Sequence, residues 1–498
     1  MYNFISMIKW IIVKHSEILF ILVLTLISTF FYFYKLDYAY FFTDEILYVN
    51  TGVEHLRGEY NNVLQAPLLG KYIAGIAGLI NEDNVNILRA PFALLGVLSV
   101  LLVYKILSDH EGKIWGFFGG ILYLSSPLLY SSTRMVMLES PMHFLWLLAH
   151  LFLLKALVEP KKLINYILAG FFIGFGVATK YSTLVFYPFI LILYFVIRKS
   201  GKDLFPIKNL VSIYLSSFVG FGIVYSHFVY STGLSGIKLF IKDNLQTFTK
   251  FGIEGKPHVI DGKLYSKSPW WTNIYFYFEN NNFYKVFLTF WSAISAFLHK
   301  SFLSFYFGLF GLLTLIFMQT LDVKSARYMS SVELSMIFLV VIFIKHLYSY
   351  KDKLISILVT IFIAVILIQD FGQIINQKPT EYNALFMYLG KMTSNFTDGN
   401  KIYIYGSSRS TKWYSKEIAD EILESDRDLD AMCSEFKNYT IFIFDLSDLP
   451  RNPTNKLISY VQENREMFTS ERKFGFDIYK LIPGFNPVFE CRDQIIVK

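Results

Sequence analysis

FFTDEILYVNTGVEHLRGEYNNVLQAPLLGK, residues 41–71, decides how the rest of the chain is read. It follows the first long apolar run, Ile18 to Tyr34, and opens with two adjacent acids, Asp44 and Glu45. Tyr38, Tyr40, Phe41 and Phe42 crowd the approach, as aromatic residues do where a chain leaves a bilayer at headgroup level. The stretch closes on Pro67-Leu68-Leu69-Gly70-Lys71, which reads as a turn presenting a cation. A carboxylate pair and a lysine at one membrane face suit proton transfer beside a bound anion. The same acids would suit an ordinary solvated loop, so the reading depends on what else gathers at that face.

The bulk numbers restrict the class. The chain has 498 residues, of which 54% are hydrophobic and 17% charged. So apolar a chain with so little charge belongs with the polytopic membrane proteins. The net charge of +7 does not argue for nucleic acid, because much of the basic excess sits in short loops between apolar runs, where it sets orientation. No small-residue cleavage site follows the first run, which exits into Tyr32-Phe33-Tyr34-Lys35, so it reads as a retained span. Cys433 and Cys491 are the two cysteines, too few for a thiolate metal cluster. A disulfide between them is open if the tail lies outside.

A bilayer core of about 30 Å needs roughly 20 helical residues. The runs at 18–36, 88–107, 114–133, 139–157, 163–180, 181–198, 209–231, 283–299, 302–320, 328–347 and 353–371 meet that need, giving eleven spans. Lysines and arginines set the orientation. With a cytoplasmic N-terminus, the inside segments hold Lys9 and Lys14, Lys113, Lys161-Lys162, Arg198-Lys199 with Lys202 and Lys208, Lys300, and Lys345-Lys351-Lys353. The outer segments are then 37–87, 232–284 and the tail.

The expected fold is mainly α: a multi-pass helical membrane domain over 1–371 and a small extracytoplasmic α/β domain over 372–498. Within the tail, Lys401–Gly406, Tyr439–Asp445 and Phe474–Ile482 read as strands, with helix-compatible stretches near 411–424 and 454–467. Asn395-Phe-Thr and Asn438-Tyr-Thr are glycosylation sequons placed where an outside domain would allow them.

Ionisable residues recur at the outer ends of the spans. Arg89 opens the second, Arg134 and Glu139 lie between the third and fourth, Lys180 ends the fifth, and Arg327-Tyr328 opens the tenth. Each alone could snorkel, but together with Asp44, Glu45 and Lys71 they describe a pocket open to water on one side and lipid on the other. Arginine forks and lysines would hold a phosphate, and a carboxylate nearby would act as base. A sugar joined to a polyprenyl phosphate fits such a site. Its tail stays in the bilayer, and cations stabilise the phosphate as it departs.

These motifs stand in the order seen in one family. The chain resembles the protein O-mannosyltransferase and aminoarabinose-transferase group of GT-C glycosyltransferases. The likeness rests on Asp44-Glu45, Pro67-Leu-Leu-Gly-Lys71, the Arg89 segment, Ser131-Ser-Thr-Arg-Met-Val-Met-Leu-Glu139, Ala178-Thr-Lys-Tyr181 and Arg327-Tyr328. Ser268-Pro-Trp-Trp-Thr-Asn-Ile-Tyr275 in the second outer segment is also similar. The resemblance implies that Asp44 is the catalytic carboxylate and Glu45 its partner. It places Lys71, Arg89, Arg134, Lys180, Arg327 and Tyr328 near the phosphate or in support of the catalytic loop, with Glu139 paired to a cation. It further implies a polyprenyl-phosphate sugar donor, inversion at the anomeric carbon, and a protein, lipid or glycan acceptor hydroxyl, with no nucleic acid partner.

The chain departs from that pattern in places. The family's histidine-proline-proline stands here as Ala66-Pro67-Leu68, the Arg-Tyr segment carries Ser330-Ser331 in place of prolines, and 232–284 has no room for a β-trefoil insert. A divalent metal (Mg, Mn or Zn) at Asp44 is left open, since carboxylates and phosphate oxygens suit such ions. Other readings are an oligosaccharyltransferase, a lipid-linked-sugar transporter or flippase, and an inactive scaffold. The one Trp-Trp pair, Trp270-Trp271, is followed by Thr272 rather than an acid, and no repeats favour a transporter.

Overall fold

The computed structural model describes residues 2–376 apart from 39–40, 42, 61–63, 65, 200–204, 248–257, 261–262, 266–267, 299–300, 322–323 and 351. Beyond these it describes 401–405, 422–425, 439–444, 465–473 and 476–481. The chain divides into two compact units: residues 1–36, 48–256 and 267–377 form one, and 37–47, 257–266 and 378–498 the other.

The first unit is helical. Helix α1 covers Tyr2–Phe33 and α2 covers Thr43–Leu56, beginning in the second unit. Helix α3 is Leu68–Ile80 and α4 is Val85–Glu111. They are followed by α5 (Lys113–Ser125), α6 (Pro127–Arg134), α7 (Glu139–Val158) and α8 (Leu163–Val177). A 3-10 turn at Tyr181–Val185 leads into α9 (Phe186–Lys199), and α10 runs Ile207–Thr247. The remainder are α11 (Thr272–Asn280), α12 (Phe283–Leu298), α13 (Phe302–Thr320), α14 (Met329–Ser349) and α15 (Lys353–Ile375).

Eight of these segments are long and apolar enough to cross a membrane. Their outer surfaces are those of a lipid-facing bundle. Along α1, Ile18, Leu22, Leu26 and Phe30 form an exposed stripe at a spacing of four, a display that a soluble protein rarely presents. Helix α15 repeats the pattern: Leu354, Leu358, Ile361 and Ile368 are exposed, while Ile366, Asp370 and Ile374 turn inward.

Three expected spans take another form. Residues 114–133 break at Ser126-Pro127 into α5 and α6, because proline has no N–H to continue the ladder. The runs at 163–180 and 283–299 form shorter apolar helices, Leu163–Val177 and Phe283–Leu298. The segments expected on the outer face also contain helix. Pro67 caps α3 instead of forming an open turn, and α10 continues past the expected membrane edge with a kink at Gly233, whose φ of 60° favours glycine.

The core lies where α7 meets α8, α9 and α13. Trp146 is fully buried on α7, with its ring edge-to-face to Phe186 and Phe310 at 5.6 and 5.2 Å. Its indole N–H would be costly unpaired in such a setting, and it donates to Thr183 Oγ1 at 2.8 Å.

In the second unit, β1 (His258–Ile260) and β2 (Lys263–Tyr265) form an antiparallel hairpin. In the tail, β3 (Lys401–Tyr405), β4 (Ile422–Ser425), β5 (Tyr439–Phe444), β6 (Phe468–Lys473) and β7 (Phe476–Leu481) make one sheet in the order β4-β3-β5-β7-β6. Strands β4, β3 and β5 are parallel, and β5, β7 and β6 antiparallel. The end of the stretch expected to be helical at 411–424 is therefore strand, and most of 411–421 and 454–467, with Cys433, Cys491 and Asn395, falls outside the described residues.

Candidate active site

Helix α1 ends at Phe33, leaving carbonyls without intrahelical partners. Beyond that end, two arginines hold the carbonyls of the turn at 34–36. Arg89, fully buried on α4, donates from Nη1 to the Leu36 carbonyl at 2.8 Å. Arg134, the last residue of α6, donates from Nη2 to the Tyr34 and Lys35 carbonyls at 2.7 and 2.6 Å. Its Nη1 bonds the Tyr130 hydroxyl, and its guanidinium lies 4.9 Å from the Tyr130 ring centroid. Cations at a helix C-terminus are favoured by the macrodipole, and these also hold Lys35 at the left-handed φ of 47°. Arg89 and Arg134 therefore fix the backbone of Tyr34 to Leu36.

A second cluster forms where α7 and α14 begin and α8 has ended. Glu139 is buried at the start of α7. Its Oε1 lies 2.5 Å from Lys180 Nζ and 3.6 Å from Arg327 Nε. Lys180 Nζ stands 4.6 Å from the Tyr328 ring centroid and the Arg327 guanidinium 5.7 Å from it, both cation–π contacts. Arg327 Nη1 also donates to Met137 Sδ at 3.3 Å. One carboxylate is thus shared by two cations, and the Lys180 and Arg327 side chains keep 18% and 31% of their surface exposed while Glu139 keeps 3%. The segment between Arg134 and Glu139 is the physical link between the two arginine positions.

Lys71 joins the second group through its neighbours. Leu69 N–H donates to the Ala178 carbonyl at 2.8 Å, two residues before Lys180. A Cβ added at Gly70 would overlap Leu138, beside Glu139. Lys71 itself is fully buried in the first turn of α3, not presented on a turn. Burial lowers its ammonium pKa from the ordinary 10.5 to about 7.

Asp44 and Glu45 stand in the first turn of α2, where carboxylates are favoured. Asp44 is half-buried and Glu45 fully buried. Consecutive helical residues do not face each other, and among the described residues no group of three or more His, Cys, Asp or Glu could hold a metal ion. Further along, α2 packs backbone to backbone on α3. A Cβ at Gly52 would overlap the Lys71 carbonyl, and one at Gly75 would overlap Gly52.

Sequence reasoning missed one group. Glu333 on α14, Lys285 on α12 and Asp370 on α15 are buried together with Tyr277 and Ser126. The available signal was an ionisable residue within two turns of the end of each of three apolar helices. His55 is a buried residue of α2 stacked on Tyr60 at 4.8 Å.

Comparison with known proteins bears on this arrangement. Residues 65–230 match the family described as dolichyl-phosphate-mannose-protein mannosyltransferase. No curated protein matches the chain. The structure of ArnT from Cupriavidus metallidurans bound to undecaprenyl phosphate is similar with a TM-score of 0.60, at 11% identity, over 95% of this chain and 100% of that one. Family match and fold together give the chain a GT-C membrane fold. AglB from Archaeoglobus fulgidus, in complex with an inhibitory peptide and a dolichol-phosphate, is similar with a TM-score of 0.56 at 13% identity, over 96% of this chain and 75% of that one. An oligosaccharyltransferase from the same archaeon in complex with Zn and sulfate gives 0.51 at 13%, over 86% and 68%. At such identities these likenesses speak to fold. The matched region holds Lys71, Arg89, Arg134, Glu139 and Lys180. Arg327 and Tyr328 lie outside it and are drawn in through Glu139 and Lys180.

Proposed function

We propose that this chain is a glycosyltransferase, moving a sugar from a polyprenyl-phosphate donor to an acceptor hydroxyl at the outer face of the cell membrane, with inversion at the anomeric carbon. In this reading the N-terminus is cytoplasmic and the C-terminal domain, 372–498, is extracytoplasmic and shapes acceptor access. The observation that carries it is the shared carboxylate: Glu139 sits between Lys180 and Arg327, so the pair keeps one net positive charge at a partly exposed position. Such a site favours a phosphate whose charge grows as the sugar leaves.

The roles divide accordingly. Lys180, Arg327 and Lys71 meet the lipid phosphate, Tyr328 backs both Lys180 and Arg327, and Glu139 orients them. Arg89 and Arg134 support the strand of chain leading to Asp44. Asp44, the more exposed of the two acids, removes the proton from the acceptor hydroxyl, and Glu45 holds the first turn of α2. The acceptor oxygen then forms the new bond to the anomeric carbon while the bond to the phosphate oxygen breaks, leaving polyprenyl phosphate.

The test is direct. Purified protein is incubated with radiolabelled polyprenyl-phosphate sugars and a crude membrane extract. Label should pass to a protein, lipid or glycan as a single sugar. Transfer of a preassembled oligosaccharide would favour the oligosaccharyltransferase reading, and no transfer from any donor would remove the reading.

A further inference from the structure

One buried carboxylate lies outside the roles given so far. Glu333, 1% exposed, sits in the second turn of α14, shortly after Arg327-Tyr328. Its Oε1 is 2.7 Å from Lys285 Nζ and accepts from Ser126 Oγ at 3.0 Å, while its Oε2 accepts from the Tyr277 hydroxyl at 2.6 Å. Lys285 Nζ also donates to Ser126 Oγ at 3.1 Å and lies 3.4 Å from Asp370 Oδ2. Asn282 Nδ2 donates to Asp370 Oδ1 at 2.9 Å. Side chains from the start of α6, from α11 and from α12 thus converge on one residue of α14, and α15 joins through Lys285.

The identities of these partners matter. Ser126 is the residue before α6, the short helix that ends in Arg134. Glu333 belongs to the helix that begins directly after Arg327 and Tyr328. On its other side the same first turn of α14 is held by Ser330, whose hydroxyl donates to the Arg327 carbonyl at 2.6 Å and lies 3.4 Å from His143 Nε2 on α7. An apolar set of the same volume would be no less stable than a buried ion pair, but it would not fix direction. Hydrogen bonds at both carboxylate oxygens do.

We infer that Glu333 is a positioning residue that sets where Arg327 stands relative to the α6 helix carrying Arg134. The inference rests on reading Arg327 as a phosphate contact, and the experiment separates the two. Binding of undecaprenyl phosphate to the purified full chain in detergent is compared for the parent, Arg327→Ala, Glu333→Gln and the double variant, with a thermal melt of each. Arg327→Ala should weaken binding. Glu333→Gln should weaken it by about three- to thirtyfold, the range for a residue acting through a packed network. In the Arg327→Ala background, Glu333→Gln should add nothing, since its effect passes through the missing guanidinium. If Glu333→Gln does not fold, Tyr277→Phe, which keeps the charge and removes one donor, takes its place in the same cycle. A Glu333 or Tyr277 variant that binds like the parent, or whose effect persists in full without Arg327, overturns the inference and leaves the phosphate reading standing. Parent-like binding by Arg327→Ala overturns the phosphate reading and this inference with it.

Discussion

Glu139 Oε1 lies 2.5 Å from Lys180 Nζ, with Arg327 Nε 3.6 Å away on the same oxygen. Because Glu139 is buried and each cation is partly exposed, removing the carboxylate leaves two positive charges facing each other. Glu139→Ala should cost roughly 3–5 kcal/mol, the scale for breaking a buried pair, read as a lower thermal midpoint in detergent. Arg327→Ala leaves the Lys180 pair in place. It should melt near the parent yet raise the donor KM by about tenfold or more, from loss of a charge-assisted contact worth roughly 1.5–3 kcal/mol. Equal KM for Arg327→Ala and the parent would move the phosphate site elsewhere.

Arg89 and Arg134 behave differently in this account, because their guanidinium groups are spent on the carbonyls of Leu36, Tyr34 and Lys35. Arg134→Ala should lower kcat more than it raises the donor KM, since what it loosens is the chain before Asp44. Arg134→Lys supplies one ammonium where a fork spans two carbonyls, so it should recover only part of the loss. A pure KM effect in both variants would make Arg134 a phosphate ligand instead.

The pH dependence follows from Lys71. Its buried ammonium has a pKa of about 7 against the ordinary 10.5, so the native protein loses this proton earlier than the unfolded chain. Between those values the unfolded chain holds more protons, and stability rises with pH; below about 7 the burial penalty is fully present. Affinity for a phosphate runs the other way and should fall as pH rises through about 7. Lys71→Met should bind more weakly at low pH and lose that step. Titration of polyprenyl phosphate binding from acid to alkaline pH in both proteins measures it.

Helices α2 and α3 touch at Gly52 and Gly75, with no space for a methyl group at either. Gly52→Ala should therefore cost about 1–3 kcal/mol as an overpacked contact. It should also lower transfer, because the helix it displaces carries Asp44 and Glu45 in its first turn. Parent-like activity with a parent-like melt would show that this crossing does not matter.

The legible parts of the chain were those that depend on composition along one segment. Apolar runs marked the long helices, and Glu139, Lys180, Arg327 and Tyr328, scattered over the sequence, are in contact with one another. What stayed hidden depends on partners far along the chain. Nothing local in Arg134 tells whether its fork meets a phosphate or the carbonyls of Tyr34 and Lys35. Leu68-Leu69-Gly70-Lys71 is too short to reveal a helix by periodicity, and the neighbours of its buried lysine, Gly70 and Leu69, meet residues near 138 and 178. The Glu333–Lys285–Asp370 group was invisible for the same reason, each member reading alone as a charge near a helix end.

The measurement that bears most directly on the account is single-turnover transfer by Asp44→Asn. The substitution keeps size and hydrogen-bonding capacity and removes the negative charge. With a donor that the parent uses, Asp44→Asn should bind polyprenyl phosphate as the parent does while transfer falls by about a hundredfold or more, the usual scale for losing a general base. Glu45→Gln should be milder. Transfer by Asp44→Asn at the parent rate would contradict the assignment of Asp44 as the base.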